Sequence, residues 1–405
     1  MSKEVRVRFA PSPTGPLHIG GVRTALYNYL VAKKNGGKFL LRIEDTDQSR
    51  YVPGAEDYII QSLKWLGMNI DEGPEQGGNY GPYRQSDRKN IYKEYVDKLI
   101  SSGHAYYAFD SAEELERMRD RYKAEGVHSP KYDQSTRESM INSLTLSDDD
   151  TKSLVNKGSN VVVRLKVPKN EIISFSDEVR GEVSFQSEEL DDKVLMKADG
   201  MPTYHLANVV DDFLMKISHV IRGEEWLSST GHHVLLYRAF GWAKEIPKFA
   251  HLPLILKPNG KGKLSKRDGA KFGFPVFPLD WFDKKENELF SGFKEDGFIP
   301  EAVINFLAFL GWNPGTEEEM FSLSELESSF EIGKIIKSGA KFNYEKAKWY
   351  NQQYIISSPN ETLAALIQED IEKIGGVSVD KGFLTTFCGM MKERVMTLKE
   401  FSTKG

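Results

Sequence analysis

The chain has 405 residues, 40% of them hydrophobic and 28% charged, with a formal net charge of −5. Single cores seldom outgrow about 250 to 300 residues, so two or more domains are expected, and the mildly acidic balance excludes a globally basic nucleic-acid binder. One cysteine, Cys388, excludes an intramolecular disulfide and any zinc site built on two or more thiolates.

The N-terminal MSKEVRVRFA has no apolar signal-peptide core. The most apolar stretch, Ala302 to Trp312, carries Asn305 and falls short of the roughly 18 to 20 residues of a membrane span. A cytoplasmic location and no membrane partner are the resulting expectations. VRVRFA (Val5 to Ala10) alternates with period two and predicts a first strand. After a Gly/Pro turn, VRTALYNYLVAKK (Val22 to Lys34) has helical spacing, and GKFLLRIED (Gly37 to Asp45) is an apolar strand with acids at its C-terminal end. Strand, turn, helix, strand opens a parallel α/β sheet, whose ligands bind outside the carboxyl ends of the strands.

From about residue 110 the chain turns highly charged and helical, and VVVRLKVP and GEVSFQ read as strands of a small separate unit, so an α+β insertion is expected over 110–183. Pro202 to Trp226 restores α/β character with a helix and then the strand SHVIRG; beyond about 275 the pattern is helical and polar, and KERVMTLKEFSTKG reads as a terminal helix.

PSPTGPLHIGG (Pro11 to Gly21) lies between the first strand and the first helix. Its glycines permit close backbone approach, and the helix N-terminus offers unpaired N–H groups and a positive dipole end, a geometry suited to polyphosphate. No G-x-G-x-x-G follows the first strand, which counts against a dehydrogenase. A basic stretch further on sets Lys257, Lys261, Lys263, Lys266, Arg267 and Lys271 against a single acid, Asp268. Its KLSKR run (Lys263 to Arg267) has the lysines to neutralise a triphosphate, although a charge run is more often a solvated face.

Together these segments resemble the HIGH and KMSKS signatures of class I aminoacyl-tRNA synthetases, in the right order and about 245 residues apart. RFAPSPTG, RIEDTD, PTYHLANVVDD, VIRGEEWLSST and HVLLYRAFGW narrow the resemblance to bacterial-type glutamyl-tRNA synthetases; it covers residues 5 to about 350, with Gly21 where the signature's last histidine would stand. The resemblance implies a Rossmann-like catalytic domain (1–109 and 184–255) split by an acceptor-arm-binding insertion (110–183). A stem-contact region (256–340) and the start of a helical anticodon-binding domain (341–405) would follow.

It also implies the reaction: ATP-dependent activation of L-glutamate to its adenylate, then transfer to tRNA-Glu. By resemblance, Arg8, Ala10, Ser12, Glu44, Tyr204, Asn208 and Arg222 hold glutamate, with the two arginines on its side-chain carboxylate and Glu44 on its ammonium. His18, Gly20, Glu225, Lys263 and Lys266 contact ATP, Trp226 helps shape the pocket, and His18 and Lys266 act in catalysis. Mg²⁺ is the expected cofactor and a monomer the expected state. Where some relatives place zinc-binding thiolates this chain has Ala108 and Asp110, so no structural zinc and no protein metal site are expected. A glutaminyl-tRNA synthetase, a tRNA-queuosine-modifying relative, an inactive tRNA-binding paralogue and a small-molecule adenylyltransferase are the competing readings. Whether tRNA-Gln is also charged is left open.

Overall fold

The computed structural model describes residues 4–158 and 160–404; the first three residues of the N-terminal segment lie outside them. Two units emerge, one of Met1–Ser12, Leu40–Tyr51 and Glu72–His251, the other of Pro13–Phe39, Val52–Asp71 and Leu252–Gly405.

In chain order, β1 (Arg6–Phe9) leads to α1 (Ile19–Lys34) and β2 (Lys38–Leu41), as the opening pattern predicts. Then come α2 (Ala55–Trp65), α3 (Lys89–Ser101) and β3 (Ala105–Ala108). A capping box between Ser111 and Glu114 starts α4 (Ala112–Ala124), whereas Ser147 and three first-turn aspartates start α5 (Asp148–Lys157), which Gly158 ends at φ 72°. There follow β4 (Val162–Leu165), β5 (Ile172–Asp177), β6 (Gly181–Gln186), β7 (Val194–Met196), α6 (Tyr204–Leu214), β8 (His219–Gly223), α7 (Thr230–Ala239) and β9 (Lys248–Leu252).

The six-stranded sheet runs β2-β1-β8-β9-β5-β6, with β1 parallel to β8 and β5 parallel to β9. The expected separate unit therefore needs correction: GEVSFQ, as β6, pairs antiparallel with β5 and extends the main sheet, while VVVRLKVP supplies β4 to a three-stranded β3-β4-β7 sheet. VRVRFA forms the expected first strand, with one feature that its alternation does not show. All four residues of β1 are buried, because the arginine face meets carboxylates instead of water. Arg6 donates to both oxygens of Glu72 at 2.8 and 2.9 Å, and Arg8 donates to Asp212. A buried charge is tolerable only when it is paired in this way.

The second unit contains α1 and α2, then β10 (Ile255–Leu256), α8 (Lys266–Phe272), the hairpin β11 (Trp281–Asp283) and β12 (Glu288–Phe290), and α9 (Pro300–Ala308). It continues through α10 (Leu323–Ser329), β13 (Ala340–Lys341), α11 (Tyr344–Ser357), α12 (Asn360–Gly375), α13 (Lys381–Met391) and α14 (Glu400–Lys404). Arg23 and Tyr27 tie α1 to the end of α9 by donating to the carbonyls of Leu310, at 2.7 Å, and Ala308, at 3.0 Å. The single terminal helix expected over KERVMTLKEFSTKG is instead broken: residues 392–399 turn before the short α14. Cys388 is fully buried in the core of α11 to α14 with Ile355, Leu363, Leu384 and Phe401, and burial pushes its thiol up to about 11, so it is inert packing. Among the described residues no helix is long and apolar enough to cross a membrane.

Candidate active site

In the first unit, the chain ends of the parallel strands and one face of α6 supply the chemistry. Tyr204, Asn208, Asp211 and Asp212 follow one another at helical spacing along α6, so their side chains fall on one stripe facing the sheet. Asp212 accepts from Arg8 Nε and Nη2, at 2.9 and 3.2 Å, and from Arg42 Nη1 at 2.7 Å. Arg42 Nη2 donates to Glu44 Oε1 at 2.9 Å, and Asn208 Nδ2 reaches the same oxygen at 3.3 Å. Asp211 takes Arg88 Nε at 2.7 Å, Gln85 at 2.9 Å and the Tyr92 hydroxyl at 2.8 Å. Burial opposes the charge on Arg42, but Asp212, Glu44 and Asp211 more than offset it and hold its pKa well above the usual range. Burial likewise raises Glu44, while Arg42 and Arg8 pull the other way.

Arg222, near the end of β8, is different. Only 5% exposed, it has no carboxylate partner among the described residues. Its guanidinium donates to neutral groups: Nη1 to the Tyr204 hydroxyl at 2.7 Å, Nη2 to Thr230 Oγ1 at 2.8 Å, and Nε to His251 Nε2 at 3.1 Å. The surface ion pair that its sequence neighbours suggest does not form, because Glu224 pairs with Arg180 at 2.5 Å. Tyr204 also stacks near Trp226, ring centroids 4.4 Å apart.

Of the residues expected to hold glutamate, Arg8, Glu44, Asn208, Tyr204 and Arg222 thus form one neighbourhood, in which Arg222, Glu44 and Arg8 all act electrostatically on Tyr204. Ala10 and Ser12 lie in the extended run beyond β1, where Glu44 N donates to Pro11 O at 3.0 Å; Ser12 is exposed. The two arginines differ in their surroundings: Arg8 pairs with Asp212 at 2.9 Å, whereas Arg222 meets no carboxylate among the described residues. Sequence reasoning missed Arg42, Asp211, Asp212, Thr230, Asp177 and His251. The two aspartates were legible in principle, at i+7 and i+8 from Tyr204 in PTYHLANVVDD.

The nucleotide-contact set is divided. Glu225 belongs to the first unit, while His18, Gly20, Lys263 and Lys266 belong to the second. Glu225 is exposed in the turn after β8, and a side chain on Gly223 would collide with its carboxylate. In the second unit His18 is the N-cap of α1 and its Nδ1 accepts from Gly20 N at 3.1 Å. Burial, then Lys266 and Lys263, lower its pKa to about 4. Neutral His18 with an accepting Nδ1 must carry its proton on Nε2, which is buried and has no hydrogen-bond partner among the described residues. The two motifs that are distant in sequence meet here. Gly15 has φ 137°, and a side chain there would begin 3.1 Å from Lys266 Nζ. Lys266 opens α8, held by a capping box between Ser265 and Asp268, so the KLSKR segment ends in the first turn of a helix. Lys263 is exposed before it. Asp110, which with Ala108 stands where some relatives place zinc-binding thiolates, accepts from Ile141 N and the Tyr132 hydroxyl, at 2.9 and 3.1 Å.

A family described as tRNA synthetases class I (E and Q), catalytic domain, matches residues 4–349. The glutamate–tRNA ligase of Cytophaga hutchinsonii is 58% identical over 404 residues, all of this chain and 78% of that protein. The glutamate–tRNA ligase of Amoebophilus asiaticus is 54% identical over 405 residues, covering 100% and 79%. The crystal structure of a glutamate tRNA ligase from Elizabethkingia meningosepticum in complex with its amino acid superposes with a TM-score of 0.95 at 51% identity, covering 100% of this chain and 80% of that one. A mixed six-stranded sheet with parallel β1–β8 and β5–β9 pairs, a buried guanidinium without a carboxylate partner among the described residues, and the approach of Lys266 to the turn at Gly15 thus accompany likeness along the whole chain, which belongs to the class I tRNA synthetases, in their glutamate–tRNA ligase family.

Proposed function

We propose that this glutamate–tRNA ligase seats the glutamate side-chain carboxylate on Arg222, its ammonium on Glu44, and the reacting phosphates of ATP on His18 and Lys266. The observation that carries this reading is the charge of Arg222, buried and, among the described residues, matched only by neutral acceptors. A free buried cation is costly, and a ligand carboxylate supplies the missing counter-charge bidentately. Asn208 and Arg42 orient Glu44 through Oε1. Arg8, its charge met by Asp212, serves as an oriented donor beside the ligand, and Tyr204, Ala10 and Ser12 complete the pocket wall.

The glutamate α-carboxylate attacks the ATP α-phosphorus, forming the acyl-phosphate bond as the bond to pyrophosphate breaks. The terminal ribose hydroxyl of tRNA then attacks the acyl carbon and releases AMP. A carboxylate is already a nucleophile, so the first step needs no side-chain base. His18 Nε2–H and the Lys266 ammonium, with Gly20, Lys263 and Glu225 on the rest of the nucleotide, stabilise charge as it shifts toward pyrophosphate. Among the described residues no three histidine, cysteine or acidic side chains converge as a metal cage. Mg²⁺ enters this reading as part of the MgATP substrate, held by its phosphates as is usual for this ion, and Ala108 and Asp110 in place of thiolates leave structural zinc out of it. A cytoplasmic monomer acting on tRNA-Glu completes the reading.

Charging of purified tRNA-Glu and tRNA-Gln with labelled glutamate and with labelled glutamine tests it. Glutamate on tRNA-Glu is expected. Preferential use of glutamine would favour the glutaminyl reading, and no charging of either would favour the inactive paralogue.

A further inference from the structure

Arg222 is a long side chain whose fork must be fixed without being neutralised. A carboxylate in contact would fix it but cancel the charge that a ligand is to meet. The side chains touching it solve this conflict with neutral acceptors, and one of them is itself held by a buried acid. His251 lies in β9, fully buried, with Nε2 3.1 Å from Arg222 Nε and Nδ1 2.6 Å from Asp177 Oδ2. Arginine Nε–H can only donate, so His251 Nε2 must accept, and the imidazole proton then sits on Nδ1, where Asp177 receives it.

We infer that His251 and Asp177 are positioning residues for glutamate selectivity: Asp177 fixes the His251 tautomer, and His251 holds Arg222 in place while leaving its positive charge uncompensated. The inference rests on the reading of Arg222 as the seat of the side-chain carboxylate. Asp177 is well placed for this task. It ends β5, which pairs with β9, and its Oδ1 accepts the backbone N–H groups of Val179 at 3.0 Å and Arg180 at 2.8 Å. The His251 backbone N–H adds a contact to Oδ2 at 3.2 Å. The backbone therefore anchors the acid, the acid anchors the imidazole, and the imidazole anchors the guanidinium. Burial first, with Arg222 and Arg180 adding to it, lowers the His251 pKa against the pull of Asp177, which keeps the ring neutral. The acid's charge stays one imidazole away from Arg222. Thr230 Oγ1, 2.8 Å from Arg222 Nη2 and 3.2 Å from His251 Nε2, closes the arrangement.

The prediction separates three substitutions in the full chain. His251→Gln sets an amide oxygen near the Nε2 position and can still accept from Arg222. His251→Asn reaches only the Nδ1 position and leaves Arg222 Nε without its acceptor. His251→Glu sets a carboxylate against the guanidinium. Glutamate affinity by calorimetry, KM and kcat in tRNA charging, and the glutamate-to-glutamine specificity ratio are the readouts. His251→Gln should stay within about threefold of wild type in glutamate KM. His251→Asn should raise KM roughly tenfold, the loss expected for a hydrogen bond to a charged group, with kcat changed less. His251→Glu should lower the glutamate-to-glutamine ratio by at least about tenfold.

A histidine that is merely packing would give equal losses for Gln and Asn and an unchanged ratio, and that result overturns the inference. If His251→Glu does not fold, the Gln and Asn pair decides alone. Arg222→Gln is the control. If it leaves glutamate KM unchanged, the reading of Arg222 itself has failed; if it raises KM while His251→Asn does not, only the positioning role falls.

Discussion

Arg8 donates from Nε and Nη2 to the two carboxylate oxygens of Asp212, at 2.9 and 3.2 Å, with both side chains buried. Asp212 also holds Arg42 at 2.7 Å, so one acid on α6 fastens β1 and the segment after β2 to the same helix. Removing one member of such a cluster leaves an uncompensated buried charge, typically about 3 to 5 kcal/mol. Asp212→Asn should therefore lower thermal stability markedly as well as activity, read by circular dichroism melting beside a charging assay. An unchanged melting temperature would show that the cluster contributes little to folding.

Arg222 should behave in the opposite way. Its charge has no carboxylate partner among the described residues, so Arg222→Gln relieves a cost of folding and removes a ligand contact. Melting temperature should hold or rise. Glutamate charging should fall about 30-fold to several thousand-fold, the range for leaving one member of a buried charge pair unpaired, and the gap to glutamine should narrow. Equal specificity ratios in wild type and variant would remove Arg222 as the selectivity residue.

Lys266→Ala should cut single-turnover adenylate formation by about 10² to 10³ with little change in ATP binding, as expected for one preorganised charge contact made in the transition state. Near-normal single-turnover glutamylation would count against the assignment.

Gly15 has φ 137°, and a methyl group placed on it would lie 3.1 Å from Lys266 Nζ. Gly15→Ala meets two penalties at once, a backbone conformation that L side chains rarely adopt and displacement of the ammonium. Adenylate formation should drop by at least about tenfold, for a strain of roughly 1 to 3 kcal/mol. Wild-type kinetics in this variant would show that the approach of Lys266 to the PSPTG turn is incidental.

His18 titrates near 4 because burial and the lysines oppose its charge. The unfolded chain takes up this proton as pH falls through about 6.5 while the folded chain resists until about 4, so its contribution to stability is constant above that window and is lost on descending through it. Neutral His18 is thus the working form at pH 7. The ratio of adenylate formation by wild type and His18→Gln should be flat from about pH 6 to 8. A limb near pH 6.5 that is present only in the wild type would mean that His18 works as a cation.

The sequence alone marked five of the elements and, through resemblance, the family. Period-two and helical spacing marked β1, α1, β2, α6 and β8, because local periodicity follows from backbone geometry. The PSPTGPLHIGG and KLSKR runs also named His18 and Lys266 before any contact was known. What only the tertiary structure decided was partnership. VRVRFA looks the same whether its arginines face water or carboxylates, and only the return of α6 over the sheet, about 200 residues later, brings Asp212 to Arg8. The same holds for Arg222. Adjacent acids in VIRGEE suggest a surface ion pair, yet chain folding gives Glu224 to Arg180 and gives Arg222 the neutral side chains of Tyr204, Thr230 and His251. Charge in a sequence is local information, but its compensation depends on what distant segments bury against it.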